Sequence, residues 1–526
     1  MNDLPPRESH RPAMVLVLLL TVAWLAATAW VRPLMLPDEG RYVGVAWEML
    51  RSGDWLTPTL NGLPYFHKPP LFYWITAASL SMFGLNEGAA RAAPVIGASL
   101  GAFALYAFTR RWAGPRAAVV TLCVLLAQPL WIIGGQFANL DMLVAGCIAA
   151  TILLLAHAAL AIEQGQPCHR ALAGAYAMAA LGILAKGLIG AVLPALVLCA
   201  WLALLRRWRT LARLLWLPGL VLFALAVSPW FIAMQVRFDG FLDYFFVLQH
   251  FKRFTTGGFN NIQPFWFYPA VLLLFTLPWW PWLHRLFRRG ALDHPSQGPV
   301  RLLMWLWLAV VVLFFSLPRS KLLGYALPAV PPLAWLLADA FVALSAPSRL
   351  TRRLWWASAA IAVVLSMVAV ITFALHAPKS SRPLAAALAS QRGASEPVFM
   401  LGRYVFDLPF YARLRSPVVV VDDWSSPAVD RSDNWRKELA DAGGFAPVLA
   451  ATTLLTPDAL HPALCAANRA WVVGPAVLNG NHLWLDHARE VVRPGRHRLW
   501  LVDTAVPAVA NALRCAEKPN GGPIHK

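Results

Sequence analysis

Charge is what this chain lacks most. Only 13% of its 526 residues are Asp, Glu, Lys or Arg, against about a quarter in an ordinary soluble domain. Acidic residues are the scarcer sign, 26 against 45 Lys and Arg. The six cysteines include no CxxC pair, so no zinc ribbon or thioredoxin-type motif is encoded. No GxGxxG or P-loop follows any of the short apolar stretches past residue 377. No basic run is interleaved with aromatics, so the net charge of +19 does not point to nucleic acid.

What is present is apolar. Hydrophobic residues make up 59% of the chain, and mean hydropathy is +0.56. Tryptophan (25) and proline (41) are both frequent. Trp rings favour membrane interfaces, and proline is tolerated where helices break around a cavity. The composition is that of a polytopic α-helical membrane protein. Apolar stretches near the roughly 20 residues needed to cross a bilayer fall at roughly 13–31, 89–109, 117–134, 140–162, 171–186, 188–205, 213–233, 265–283, 301–317, 322–344 and 354–375. That gives about 11 transmembrane helices, the fifth and sixth abutting in a tight hairpin at Lys186-Gly187. The first stretch is long for a signal peptide and has no convincing cleavage site after it, so it reads as a retained span.

Loop charge sets the expected orientation. One side carries Arg7 and Arg11, then Arg110, Arg111 and Arg116, then Arg206, Arg207, Arg209 and Arg213. Arg285, Arg288, Arg289 and Arg301, and finally Arg349, Arg352 and Arg353, continue it. The positive-inside rule makes this side cytoplasmic. The N-terminus is then inside, and an odd number of spans leaves the C-terminal tail outside.

Two outer loops are long. The first, about 32–88, holds two amphipathic stretches with Trp47, Trp55 and Trp74, expected to lie in the interface plane. The second, about 234–264, holds "DGFLDYFFVLQHFKRF". The organisation expected is a membrane domain over 1–376 and an outer α/β domain over 377–526. There, "PVFMLG", "PVVVVDDW", "AWVVGP" and "HRLWLVD" alternate with helical stretches. Cys123, Cys147, Cys168 and Cys199 read as small core residues. Cys465 and Cys515 lie in the outer tail, where pairing requires an oxidising compartment.

The ionisable residues of the outer face cluster. They are Asp38, Glu39, Arg41, His67, Lys68, Asp141, Lys186, His250, Lys252, Arg253, Arg319 and Lys321, with Tyr42, Tyr65 and Tyr325 near them in sequence. Taken singly, such groups usually anchor a helix end. In "FANLDMLVAG", "GILAKGLIG" and "LPRSKLLGYALP", however, the surroundings are apolar. A charge near hydrocarbon costs at least about 2.5–3.5 kcal/mol on insertion scales, which favours a functional role. A Lys-, Arg- and Tyr-rich cavity suits a phosphate or diphosphate. In "LPDEGRY", Asp38 and Tyr42 share a helix face. Glu39 points elsewhere and ranks as a supporting neighbour, and both acids favour a helix N-terminus.

The stretch "PDEGRYVGVAWEMLRSGDWLTPTLNGLPYFHKPPLFYW" resembles the first periplasmic loop of the bacterial aminoarabinose (lipid A) transferase family. These are GT-C glycosyltransferases related to the protein mannosyltransferases. The likeness continues in "FANLDMLVA", "LGILAKGLIGAVLPALV", "SPWFIAMQVRFDGFLDYFFVLQHFKRF", "PFWFYPAVLLLFTLPWWPWL" and "FFSLPRSKLLGYALPAVPPLA", in the same order over roughly residues 15–345.

The resemblance implies a GT-C fold and an inverting transferase. It would move a sugar, 4-amino-4-deoxy-L-arabinose in that family, from an undecaprenyl-phosphate carrier to lipid A or another envelope acceptor. Asp38 matches the acid of the first loop and Lys68 the lysine of the family's "EKP" motif, the two catalytic candidates. Glu39, Arg41, Tyr42, Tyr65, Asp141, Lys186, His250, Arg253, Lys321 and Tyr325 are the substrate-binding candidates. The family's usual glutamate is His67 here; with the histidine matching His250, that position can hold a divalent metal in relatives. His67 and His250 are therefore the candidate ligands for zinc or magnesium. Past residue 345 the family continues with further spans, whereas this chain has one more before its tail. Alternatives are a GT-C transferase acting on lipopolysaccharide core, another glycan or protein, a transporter or flippase of lipid-linked sugars, and a binding protein that acts through its tail.

Overall fold

The computed structural model describes residues 11–252, 261–287, 297–344, 346–376, 380–431, 434–478, 480–493 and 497–515. The chain divides into two compact units. One comprises residues 1–33, 53–57 and 66–377, the other residues 34–52, 58–65 and 378–526.

The first unit is helical. Six helices are long and apolar enough to cross a membrane: Ala92–Trp112, Leu140–Glu163, Leu217–Arg237, Gly298–Ser316, Leu323–Val342 and Arg349–Leu375. The pair Pro115–Ala127 and Pro129–Gly135, bent by 67°, makes up to seven. The count of 11 read from hydropathy is therefore larger than the number of full-length helices among the described residues. Helix breaks explain part of the difference. The stretch at 265–283 divides at Pro278 and Pro281 into Phe267–Phe275, Leu277–Trp279 and Trp280–Leu283, since proline removes a donor and clashes with the preceding turn. Ala13–Ala26, Leu71–Phe83 and Ile189–Leu204 are apolar but shorter.

Small residues let these helices approach backbone to backbone. A Cβ on Gly97 would lie 2.5 Å from Leu143 Cα, and one on Gly146 would lie 2.0 Å from Gly97 O. This close packing replaces the hydrophobic drive that lipid does not supply. The hairpin expected at Lys186-Gly187 is present: His169–Lys186 turns at Gly187, φ +97°, into Ile189–Leu204. Gly182 and Gly190 meet just inside it. Of the four cysteines outside the tail only Cys147 is buried; Cys123 and Cys168 are half-buried and Cys199 is exposed. An apolar side chain facing lipid needs no core.

The second unit is α/β. Its six-stranded sheet runs 454–455, 419–421, 398–401, 469–475, 497–503 and 489–492 from edge to edge. The first four strands are parallel, and 497–503 pairs antiparallel with both of its neighbours, 469–475 and 489–492. Phe399, Val472, Trp500, Val502, Leu464 and Leu513 are buried together on one face. Cys465 and Cys515 form a disulfide across 50 residues.

Helix Asp38–Ser52 differs from the amphipathic surface helix expected of the first outer loop. It is a packed element of the α/β unit, burying Glu39, Gly40, Val43, Gly44, Val45, Ala46, Glu48 and Met49. A Cβ on Gly40 would lie 2.8 Å from Asp407 N, Arg51 Nη1 donates to Leu414 O at 2.7 Å, and the Tyr411 hydroxyl accepts from Leu34 N at 2.7 Å. The physical reason is its glycines, which let a polar helix sit against backbone far along the chain.

Candidate functional site

The candidate residues form two groups, one in each unit. In the helical unit, Asp141, Lys186 and Tyr325 come together. Asp141 opens helix Leu140–Glu163, whose N-cap Asn139 accepts from Asp141 N at 3.0 Å. An acid there faces the positive end of the helix dipole. Lys186 is the last residue of its helix, where the dipole favours a cation, and the left-handed Gly187 ends the helix at that point. The two side chains form an ion pair, 11% and 8% exposed for Lys186 and Asp141. Asn139 Nδ2 donates to the other Asp141 oxygen at 3.1 Å. Lys186 Nζ also lies 4.3 Å from the centre of the Tyr325 ring, within cation–π range. Gly324 makes this convergence sterically feasible, because a Cβ there would lie 2.1 Å from Asp141 Oδ2.

Lys321 is buried, and Nζ donates to Gln263 O at 3.0 Å and to Pro318 O. Lys321 N donates to Asn261 O and Gln263 N to Arg319 O, with a bridge between Ile262 and Ser320. Lys321 thus fastens the end of the second loop, with two of the three ammonium donors engaged. Tyr268, which sequence reading did not single out, donates to Leu322 O at 3.2 Å and steadies the same segment.

His67 is buried, with Nε2 2.8 Å from the Tyr244 hydroxyl. Phe66 packs edge-on against Phe238 and Phe241 at 4.9 and 5.2 Å, which fixes the start of "FHKPP". Lys68 next to it is half-buried. Asp54 pairs with Arg237 at 2.8 Å. The His250 side chain and Arg253 lie outside the described residues. Among the described residues no three His, Cys, Asp or Glu gather as metal ligands. His67 offers one imidazole beside the Tyr244 phenol, and zinc would need further donors.

In the α/β unit, Arg41 forms ion pairs with Asp38 at 2.8 Å and with Glu438, and stacks on Tyr42 and Phe406. Burial opposes its charge, but Glu438, Tyr65, Tyr42 and Asp38 outweigh burial and hold the guanidinium above its ordinary pKa. Asp38 keeps 40% of its side chain exposed, whereas Glu39 is fully buried and accepts from Met35 N at 2.9 Å. Glu39 therefore ties its helix to the chain segment that enters it. Tyr42 is half-buried and Tyr65 buried.

Glu48 is a second internal acid, unremarked in the sequence. It accepts from Thr59 Oγ1 (2.8 Å), Asn61 N (2.7 Å) and Gly62 N (2.8 Å), and so shapes the hairpin 59–64 that leads to Tyr65. Burial raises its pKa, and Arg51 and the hydrogen bonds from Gly62, Thr59 and Asn61 counter that rise. Gly324, Tyr244, Glu438 and Glu48 carry no local sequence signal beyond their type, because their partners lie elsewhere in the fold.

The resemblance read from the sequence is borne out. The sequence profile of the dolichyl-phosphate-mannose-protein mannosyltransferase family matches residues 67–232. Curated proteins named undecaprenyl phosphate-alpha-4-amino-4-deoxy-L-arabinose arabinosyl transferase are similar. The one from Pseudomonas aeruginosa is 36% identical over 316 residues, 59% of this chain and 56% of that protein. Its counterpart from Aeromonas salmonicida is 34% identical over 321 residues, 60% and 57%. The chain thus matches a little over half the length of these curated relatives. In fold it is similar to the crystal structure of ArnT from Cupriavidus metallidurans bound to undecaprenyl phosphate, with a TM-score of 0.79 and 25% identity over 94% of this chain and 98% of that one.

Proposed function

We propose that this chain is an inverting GT-C glycosyltransferase of the bacterial inner membrane that moves 4-amino-4-deoxy-L-arabinose from undecaprenyl phosphate to lipid A at the periplasmic face. The observation that carries the reading is the Asp141–Lys186–Tyr325 cluster, a cation fixed at the tip of an apolar helical hairpin. The fold shared with a protein crystallised with undecaprenyl phosphate supports it. So does the Cys465–Cys515 disulfide, which suits an oxidising compartment. The reading also takes the 11 apolar stretches as the crossings, some of them in broken helices, with the α/β unit outside.

A polyprenyl-phosphate sugar already has a good leaving group. As the bond between the anomeric carbon and the phosphate oxygen breaks, the phosphate keeps the electron pair. The acceptor oxygen bonds to the opposite face of the same carbon, which inverts it. The protein's task is then mainly to stabilise charge on the departing phosphate with prepositioned donors. Lys68, Lys321, Tyr325 and Arg253 take that role in this reading, and Lys186, stacked on Tyr325, lines the donor pocket. Asp38 orients the acceptor: a phosphate oxygen on lipid A needs little base, whereas a hydroxyl would pass its proton to Asp38. The Asp38 carboxylate keeps 40% exposure beside Arg41, whereas that of Glu39 is buried and accepts from Met35 N.

The test is the lipid A mass spectrum of a strain lacking its own aminoarabinose transferase and carrying this gene. One aminoarabinose per phosphate modified should appear, and should disappear with Lys186→Ala and Lys68→Ala. An unmodified lipid A beside a sugar-bearing envelope protein would instead favour a protein acceptor, the reading suggested by the mannosyltransferase profile.

A further inference from the structure

Two arginines outside the residue set read from the sequence are buried in the helical unit. Arg91 is fully buried and Arg32 is 5% exposed. A guanidinium out of water is costly unless its donors are met, and these two donate to backbone. Arg91 Nη1 donates to Ala29 O at 2.6 Å and to Arg32 O at 2.8 Å, and Nη2 to Pro33 O at 3.0 Å. Arg91 thus fixes the turn that follows the first apolar helix, Ala13–Ala26, and with it the point from which the Arg32 side chain starts.

Arg32 reaches a segment 104 positions further along the chain. Its Nη2 donates to Gln136 O at 2.6 Å, and its guanidinium lies over the Phe137 ring, 5.4 Å from the centre. Gln136 is buried and is held a second time, its Oε1 accepting from Thr28 Oγ1 at 2.8 Å. From there the chain turns tightly, Asn139 N donating to Phe137 O at 2.7 Å. Asn139 then caps helix Leu140–Glu163 and donates Nδ2 to Asp141 at 3.1 Å. The clamp on Gln136 and Phe137 therefore sits at the entry to the turn that presents Asp141 to Lys186. A side chain held in this way keeps its geometry only as well as its supporting contacts do.

We propose that Arg32 is a positioning residue for sugar transfer: by clamping the Gln136–Phe137 backbone it sets Asp141 and, through Asp141, the Lys186 ammonium. This rests on the transferase reading above, in which that ion pair lies at the donor pocket. The planar guanidinium suits the task because it donates along its edge and stacks by its face at once. Lysine keeps the charge and a donor but loses that fork, and glutamine loses the charge as well.

Single-turnover transfer by the purified full chain in vesicles tests it, with undecaprenyl-phosphate aminoarabinose as donor and lipid A as acceptor. Arg32→Gln should slow transfer at least about ten-fold, as expected when a positioning contact is lost. Arg32→Lys should be at least about three-fold faster than Arg32→Gln. On an Asp141→Asn background the Arg32→Gln change should cost less than about two-fold, because the group it positions is already altered. A merely structural arginine would cost the same on both backgrounds. That equal cost, or an Arg32→Gln rate within about three-fold of an active wild type, would overturn this proposal alone. A wild type that leaves the donor intact would overturn the transferase reading and this proposal with it. If Arg32→Gln does not fold, Phe137→Leu, which removes only the stacked ring, decides by the same comparison of backgrounds.

Discussion

Replacing Gly324 by alanine tests whether the geometry of Asp141 and Lys186 carries the activity. Gly324 does not adopt the left-handed backbone that only glycine tolerates, so alanine strains nothing locally. The conflict is with a neighbour: the new Cβ would lie 2.1 Å from Asp141 Oδ2 and 2.7 Å from its Cγ, where ordinary contact begins at 3.4 Å. The carboxylate must therefore withdraw by about 1.3 Å, the difference between those distances. That movement pulls it from Lys186 and from Asn139 Nδ2. A misplacement of about 1 Å in a positioning group costs on the order of 10²-fold in rate. Gly324→Ala should thus lower kcat/KM for sugar transfer about 100-fold, with the protein still eluting as a folded species. Combined with Asp141→Asn, it should add little, because both changes release the same ammonium. Transfer within about three-fold of wild type would refute the reasoning, since the ion pair would then be incidental to turnover.

Asp38→Asn should reduce transfer at least about 100-fold, while the melting temperature stays near wild type because Glu438 still holds Arg41. Glu48→Ala should destabilise the α/β unit by about 3 kcal/mol or more in chemical denaturation, since it strands the donors of Thr59, Asn61 and Gly62. Asp407 gives a pH signature. Burial lifts its pKa from 3.8 to about 6, against hydrogen bonds from Ser381 and Ser380. The folded state therefore holds a proton that the unfolded state releases, and stability falls as pH rises from about 4 to about 6. At about 1.4 kcal/mol per pH unit the fall approaches 3 kcal/mol, and denaturant midpoints across that range should lose the slope in Asp407→Asn.

Much of the fold was legible because it is written in local apolar patterns. "VFML", "VVV", "RAWVVGP" and "HRLWLVD" are strands in the structure, and Gly187 marks the helical hairpin that ends in Lys186. The two-residue strand 454–455 and the polar strand 489–492 carry no such run; their neighbours in the sheet supply the pairing. The burial of helix Asp38–Ser52 was also hidden, since what covers it lies near Asp407, Leu414 and Glu438, more than 350 positions on. The site divides the same way. Asp141, Lys186 and Tyr325 stood out as polar groups in apolar stretches and converge. Glu39, equally conspicuous, is buried and accepts from Met35 N in the segment before its helix, a use that residue type and spacing do not distinguish from binding.

The most direct measurement is transfer by the purified full chain in lipid vesicles holding undecaprenyl-phosphate aminoarabinose and lipid A. Lipid A should become heavier by one aminoarabinose for each donor converted to undecaprenyl phosphate, and Lys186→Ala should abolish the reaction. Donor that stays intact, or that crosses the bilayer with its sugar still attached, would contradict the transferase reading.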